Sequence, residues 1–258
     1  MTKKLLILII GMFFVMIHSA FATDPTTEGI QHYWIASEGT ASLLTDQVGT
    51  NNMTLVNDWT QESSIPQVKT GTPVANEYME TQENMDASIT GTSDRTFILW
   101  TQLIDNQPPQ DADQFMNYGV GGAGLNNGFQ VEDTTDILLS ADGVAVAGTI
   151  AVARGTYQMV SQTYDGSRGI LFMNTTISHN TSWSLNTATT KLWVCAGRGG
   201  GGSTCAGNFS QIAIFDRALE VNEIEDWFDA GPFNNALVTV DTTPPTIATT
   251  SQNNTAPR

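Results

Sequence analysis

The segment Asn208 to Gly231, NFSQIAIFDRALEVNEIEDWFDAG, constrains the fold more than any other part of the chain. Ser210, Ile212 and Ile214 alternate with Gln211, Ala213 and Phe215, which is the period of an extended strand. After Asp216-Arg217 the period becomes helical, and Val221, Ile224 and Phe228 share one face. Glu220 and Glu223 fall in the first turn of that helix, where acids suit its dipole. Gly231 and Pro232 stop it. The spacing therefore predicts a strand, a turn and one late helix.

The rest of the chain is rich in strand patterns. Expected strands are Ile30–Ile35, Met53–Val56, Asn76–Glu80, Arg95–Leu103, Gln114–Val120, Gly128–Glu132, Thr135–Ser140, Thr156–Tyr164, Gly169–Asn174, Lys191–Cys195 and Asn208–Phe215. Clusters of Gly, Asn, Asp and Pro separate them at short intervals, as in sandwiches and jelly rolls. Phe97–Trp100 is apolar on both faces, which places it centrally with cover on each side. Trp34, Trp100, Phe172, Trp193, Ile212, Ile214 and Ile224 are the expected core.

Several blocks carry a resemblance in chain order. They are Tyr33-Trp34, Asp46-Gln47-Val48-Gly49-Thr50-Asn51-Asn52, Phe97-Ile98-Leu99-Trp100, YQMVSQTYDG from Tyr157 to Gly166, GILFMN from Gly169 to Asn174, and Phe215-Asp216-Arg217-Ala218-Leu219 with Glu223-Ile224. Together they resemble laminin-G-like domains of the concanavalin A-like lectin/glucanase superfamily, over roughly Ile30 to Gly231. The resemblance implies an all-β, jelly-roll β-sandwich of two antiparallel sheets with one short C-terminal helix. Three positions depart from the family pattern. Tyr157-Gln158 stands where Trp-His is usual, Asn174-Thr175 where Asn-Gly is usual, and Gln211 where the last strand carries an acid.

The first residues have the form of a secretory signal. Lys3 and Lys4 precede an apolar run from Leu5 to Ile17, and Ala20-Phe21-Ala22 is a small-x-small cleavage site. The expected organisation is a signal peptide over 1–22, a lead over 23–29, the jelly roll over 30–231 and a Pro/Thr-rich tail over 232–258. The tail, with Thr242-Thr243-Pro244-Pro245, resembles linkers before immunoglobulin-like modules in large secreted proteins, so it is expected to be a linker or the truncated start of a following domain, with a disordered tail as the alternative. Removing 1–22 takes away two lysines and no acid, and moves the formal charge from −16 to −18. Such a surface disfavours nucleic acid and anionic membranes. The two cysteines, Cys195 and Cys205, flank the glycine run Gly199–Gly202. In an exported chain they are expected to pair as a disulfide.

Chemistry is harder to place. Retaining glycosidases need two carboxylates in one cleft, about 5–5.5 Å apart. Here Glu223, Glu225 and Asp226 diverge around a helix, and Glu80/Glu83 and Glu132-Asp133 lack the alternation that would align them on a strand. No phosphate-cradling loop or zinc spacing is present, and only His32 and His179 lie outside the leader. The expectation is a chain that is not an enzyme. The turn from Asp46 to Asn52 offers a carboxylate, amides and loosened carbonyls, which suits calcium. The resemblance extends that metal role to Asp46 and Asn51. The same turn also reads as one in which Asp46 bonds its own backbone. Trp183, between small polar residues, is the candidate sugar-stacking side chain, with Asn126, Asn127 and Asp113 in loops that could join it; the alternative is that Trp183 folds back onto the core, and Trp59 has the same two readings. The functional expectation is a secreted or cell-surface binding and adhesion module for glycans or an extracellular protein, with calcium as the expected cofactor. A spacer domain without a ligand is the alternative, and a glycoside hydrolase the third.

Overall fold

The computed structural model describes residues 25–40, 42–57, 60–62, 67–69, 78–103, 113–121, 125–132, 136–141, 144–151, 153–196 and 207–233. In chain order the strands are β1 (Ile30–Thr40), β2 (Leu43–Asp46), β3 (Met53–Val56), β4 (Thr60–Glu62), β5 (Gln67–Lys69), β6 (Tyr78–Thr81), β7 (Arg95–Leu103), β8 (Asp113–Gly119), β9 (Asn126–Glu132), β10 (Asp136–Ala141), β11 (Val144–Ala151), β12 (Gln158–Tyr164), β13 (Arg168–Met173), β14 (Thr176–Ser182), β15 (Leu192–Val194) and β16 (Gly207–Phe215). One α-helix, α1 (Val221–Ala230), follows. The strands pair in the order β11-β10-β9-β8-β15-β6-β3-β2-β1-β16-β7-β12-β13-β14, with β4 and β5 as a side hairpin on β16. Among the described residues every named pairing is antiparallel.

The ladder folds over on itself into a sandwich. Inward side chains of β3, β6, β8 and β15 (Met53, Leu55, Met79, Phe115, Leu192, Val194) meet those of β1, β7, β12, β13 and β16 (Trp34, Leu99, Val160, Leu171, Ile212, Ile214) in one core. The opposite face of the β1-β16-β7-β12 layer carries Tyr33, Ala213, Phe215, Ile98, Trp100 and Met159. There α1 lays Ile224 and Trp227 over the sheet as a second core. The alternation in β16 thus sends its Ile212 and Ile214 into one core and its Ala213 and Phe215 into the other, and β7 is covered on both faces. Each fully buried large side chain contributes about 1.5–3 kcal/mol over its exposed state. All seven expected core residues are buried.

The helix differs from its expected face. Val221 is 42% exposed, and Trp227 takes the buried position instead. The cause is the lead segment before β1. Trp227 Nε1 donates to the Thr26 carbonyl (3.1 Å), while Arg217 Nε donates to the Glu28 carbonyl (2.8 Å). Arg217 also grips Glu223 with Nη1 (2.8 Å) and Nη2 (2.6 Å), and the Glu223 carboxylate accepts the Glu220 amide, which fastens the first turn. Strands β2, β4, β5, β11 and β14 were not anticipated. In β14, TISHNTS, most side chains are exposed or half-buried, so apolar alternation gives no signal for this edge strand.

Arg95 is the least expected core residue, with 0% exposure. Its Nη1 donates to the carbonyls of Ile89 (3.2 Å), Gly91 (3.3 Å) and Ser93 (3.1 Å), and Nη2 to Thr187 Oγ1 (3.0 Å). The guanidinium lies 4.8 Å from the Tyr164 ring centroid and 5.7 Å from that of Tyr118.

Candidate ligand groove

The turn between β2 and β3 is built around one carboxylate. Asp46 Oδ1 accepts the amides of Tyr33 (3.1 Å), Val48 (3.2 Å) and Gly49 (3.0 Å). Oδ2 accepts the Asn51 amide (3.2 Å) and lies 2.7 Å from His32 Nδ1. An ionised carboxylate only accepts, so Nδ1 carries the hydrogen. Burial pushes the Asp46 carboxyl up, but the His32 hydrogen bond, the Tyr33 amide, the charge of His32 and the Gly49 amide more than offset it and hold it below the usual carboxylate range. Residue 49 must be small, because a Cβ there would stand 2.7 Å from Asp46 Oδ2 and 3.0 Å from both the Gln31 carbonyl and His32 Nδ1.

Asn51 ties this turn to a second segment. Its Oδ1 accepts the Glu83 amide (2.9 Å) and its Nδ2 donates to the carbonyls of Glu83 (3.2 Å) and Asn84 (3.4 Å). Trp34 Nε1 donates to the Asn51 carbonyl (2.9 Å), and the Trp34 ring stacks on the His32 ring at 5.3 Å and 14°. The result is an open groove of about 530 Å3 lined by Ile30, Gln31, His32, Val48 and Thr50 on one side and by Glu83, Asn84 and Asp86 on the other. His32 is 3% exposed at its floor, with Nε2 3.1 Å from Asp86 Oδ2.

This geometry does not fit calcium at Asp46 and Asn51. Asp46 Oδ1 already accepts three N–H groups and Oδ2 two, which fills the carboxylate, and the one lone pair left on Asn51 Oδ1 beside the Glu83 amide is far short of the six to eight oxygens that calcium takes. Among the described residues no group of three or more His, Cys, Asp or Glu gathers that could hold a metal ion. The sequence alternative, in which Asp46 bonds its own turn, matches the coordinates.

The expected sugar-binding set does not converge. Trp183 is 5% exposed and belongs to the main core, where its ring presses on Gly169 so closely that a Cβ there would be 2.6 Å from Trp183 Cε3. Asn127 is fully buried, with Oδ1 accepting Gln162 Nε2 (2.9 Å). Asp113 and Asn126 lie in strands rather than loops. The register Asp113↔Val131 and Gly119↔Asn126 puts them at opposite ends of the β8–β9 hairpin, about 20 Å apart along the strands. Small polar neighbours made Trp183 look exposed, but the layer packing decides its burial. Cys195 is buried and no described cysteine is free, whereas Cys205, the glycine run, Trp59, the leader and the tail beyond 233 lie outside the described residues. His32 and Asp86 were missed. The one available signal was that His32 precedes the aromatic pair Tyr33-Trp34, in reach of the Asp46 turn.

Comparison with known proteins settles the family. Residues 70–225 match the Laminin_G_3 model, described as Concanavalin A-like lectin/glucanases superfamily, which is more than half of the chain. The chain belongs to this family. No curated protein sequence matches it. Among solved structures, this laminin-G-like chain is similar to Trypanosoma rangeli sialidase in complex with sialic acid, at TM-score 0.65 and 13% identity, covering 81% of this chain and 34% of that one. It is similar to the binding domain of Botulinum Neurotoxin DC in complex with SialylT, at 0.61 and 9%, covering 79% and 52%. It is also similar to the binding domain of Paraclostridial Mosquitocidal Protein 1, at 0.59 and 11%, covering 79% and 52%. The chain thus spans about a third of the sialidase and about half of the two binding domains, and at these identities the likeness is one of fold. The sequence expectation that the chain is not an enzyme is corrected here. Solved structures that share its fold include sialidases, one of them a mutant with trans-sialidase activity, as well as binding domains.

Proposed function

We propose that this laminin-G-like domain is a glycan-binding module of an exported or cell-surface protein, and that the groove beside His32 holds the sugar. The observation that carries this reading is the groove itself. It is open, has a volume within the range of small-ligand sites, and pairs apolar Ile30 and Val48 with polar Gln31, Glu83, Asn84 and Asp86. A sugar ring has the same two-sided character, with an apolar face and a rim of hydroxyls. The complex of the botulinum binding domain with SialylT supports a carbohydrate partner for this fold. Export follows from the leader over 1–22, and a Cys195–Cys205 bridge suits that destination. Glu83 and Asp86, with a chain charge of −16, favour neutral glycans over sialylated ones.

The test is retention of the exported chain on an array of neutral and sialylated glycans in the presence of chelator. Neutral glycans should be retained, with affinity falling about tenfold or more in Gln31→Ala and Asn84→Ala, a loss of roughly 1.4 kcal/mol or more. Retention that ignores both substitutions would remove the groove from the account. An array with no retained glycan would remove the glycan reading.

A further inference from the structure

The walls of the groove beside His32 are rich in hydrogen-bond acceptors, and the fold holds those acceptors in place. Glu83 and Asp86 stand on one wall, and the backbone that carries them is pinned. The Glu83 amide donates to Asn51 Oδ1 (2.9 Å), and its carbonyl accepts Thr81 Oγ1 (2.8 Å). The Met85 amide donates to the Thr190 carbonyl (2.8 Å), and the Met85 side chain is buried in the main core. On the other wall Gln31 donates Nε2 to Asp216 Oδ2 (2.9 Å). A carboxylate accepts only from the amide nitrogen, so the amide oxygen of Gln31 is the end left for a ligand. At the floor His32 is 3% exposed, and beyond its contact with Asp86 Oδ2 at 3.1 Å its Nε2 hydrogen-bonds to no other group among the described residues. Among the described residues no lysine or arginine lines the groove.

We propose that this groove selects amino sugars whose amine is free over their N-acetylated counterparts. The inference rests on the glycan reading of the same groove and adds the substituent that the groove recognises. An ammonium group brings a positive charge and three N–H donors, and so answers carboxylates and amide oxygens together. An acetamide brings no charge and one N–H donor, and its carbonyl needs a donor of its own. The sign of the field does not turn on His32. Even with two protons on its ring, His32 sets one positive charge against the carboxylates of Asp46, Glu83 and Asp86. The apolar panel of Ile30 and Val48 makes a sugar ring, rather than a bare amine, the fitting body for that charge. Because the backbone of Glu83 and Met85 is fixed in advance, little ordering is left to offset the gain on binding. The Glu83 and Asp86 side chains are open to water, so their pull acts on selectivity and weakens as salt screens it.

The test compares two ligands of equal length, the glucosamine tetramer and the N-acetylglucosamine tetramer. Each is titrated into the exported chain by calorimetry at about pH 5.5, where the sugar amines are protonated. The free-amine tetramer should bind about tenfold tighter or more in 50 mM sodium chloride, and the ratio should shrink to about threefold or less in 500 mM. Asp86→Asn and Glu83→Gln should each lower the ratio, and the double variant, checked for folding by circular dichroism, should bring it near one. Equal binding of the two tetramers would overturn the proposal and leave the glycan reading standing. A ratio that survives the double variant would also overturn it, by placing the amine elsewhere on the acidic surface. Tetralysine that binds as tightly as the free-amine tetramer, and is lost with it in the double variant, would reassign the groove to basic peptides. If neither tetramer binds, the proposal falls, and the glycan array shows whether the glycan reading falls with it.

Discussion

Asp46 at the groove and Arg95 inside the sandwich are both charges with almost no exposure, yet their partners come from different parts of the chain. Asp46 takes amides at positions 48, 49 and 51, all within five residues, together with Tyr33 and His32 from the adjacent β1. Arg95 takes carbonyls at 89, 91 and 93, but also Thr187 and the rings of Tyr118 and Tyr164, from far along the sequence. Asp46 is met by the His32 imidazole, whose ring forms part of the groove wall. Arg95 is met by carbonyls, one hydroxyl and two aromatic faces. A charge stabilised by fixed dipoles makes a sealed structural node. A charge stabilised through histidine makes a site that can respond to what enters the groove.

Substitution at Arg95 should have the largest effect. Arg95→Ala leaves three carbonyls short of a donor and opens a cavity, and should cost about 4 kcal/mol in urea unfolding. Arg95→Met refills most of the volume, and should recover about half of that loss. If both variants are nearly neutral, Arg95 is not a node and the contrast fails.

Asp46→Ala comes next, at about 3 kcal/mol, because it strips the acceptor from four amides and from His32. The Asp46 carboxyl sits lower in the folded chain than in the unfolded one. Its contribution is therefore complete above the unfolded value near pH ~3.9 and is lost as pH falls through the lower folded value. Stability of the wild type and Asp46→Asn, measured by urea unfolding, should differ by a constant amount above pH ~4.5 and converge below it.

Asp86→Asn should have the smallest effect on stability, within about 0.5 kcal/mol, since its side chain is largely exposed. A loss of 2 kcal/mol or more would make Asp86 part of the fold and blur the line between scaffold and groove.

The legible parts of the molecule share a physical trait. Strand β16 and helix α1 are announced by a change of period within one stretch, because burial on a sheet or helix repeats with the geometry of its own backbone. The Asp46 turn is legible for a related reason, since most of its donors are local. Trp183 has two readings in the sequence, exposed or core, because its burial depends on Gly169 in the neighbouring strand β13. The edge strand β14 was missed because a solvated strand lacks the apolar beat.

By itself, then, the sequence determined the all-β sandwich, its doubly covered central strand, the closing helix and the carboxylate-centred turn, since each follows from periodicity or from contacts a few residues apart. Only the tertiary structure decided that Arg95 is a core residue, that Trp183 and Asn127 are interior, and that His32 and Asp86, 54 positions apart, meet across one groove. Those facts depend on which strands the folded ladder sets side by side. That is a property of long-range packing, and no local window of sequence contains it.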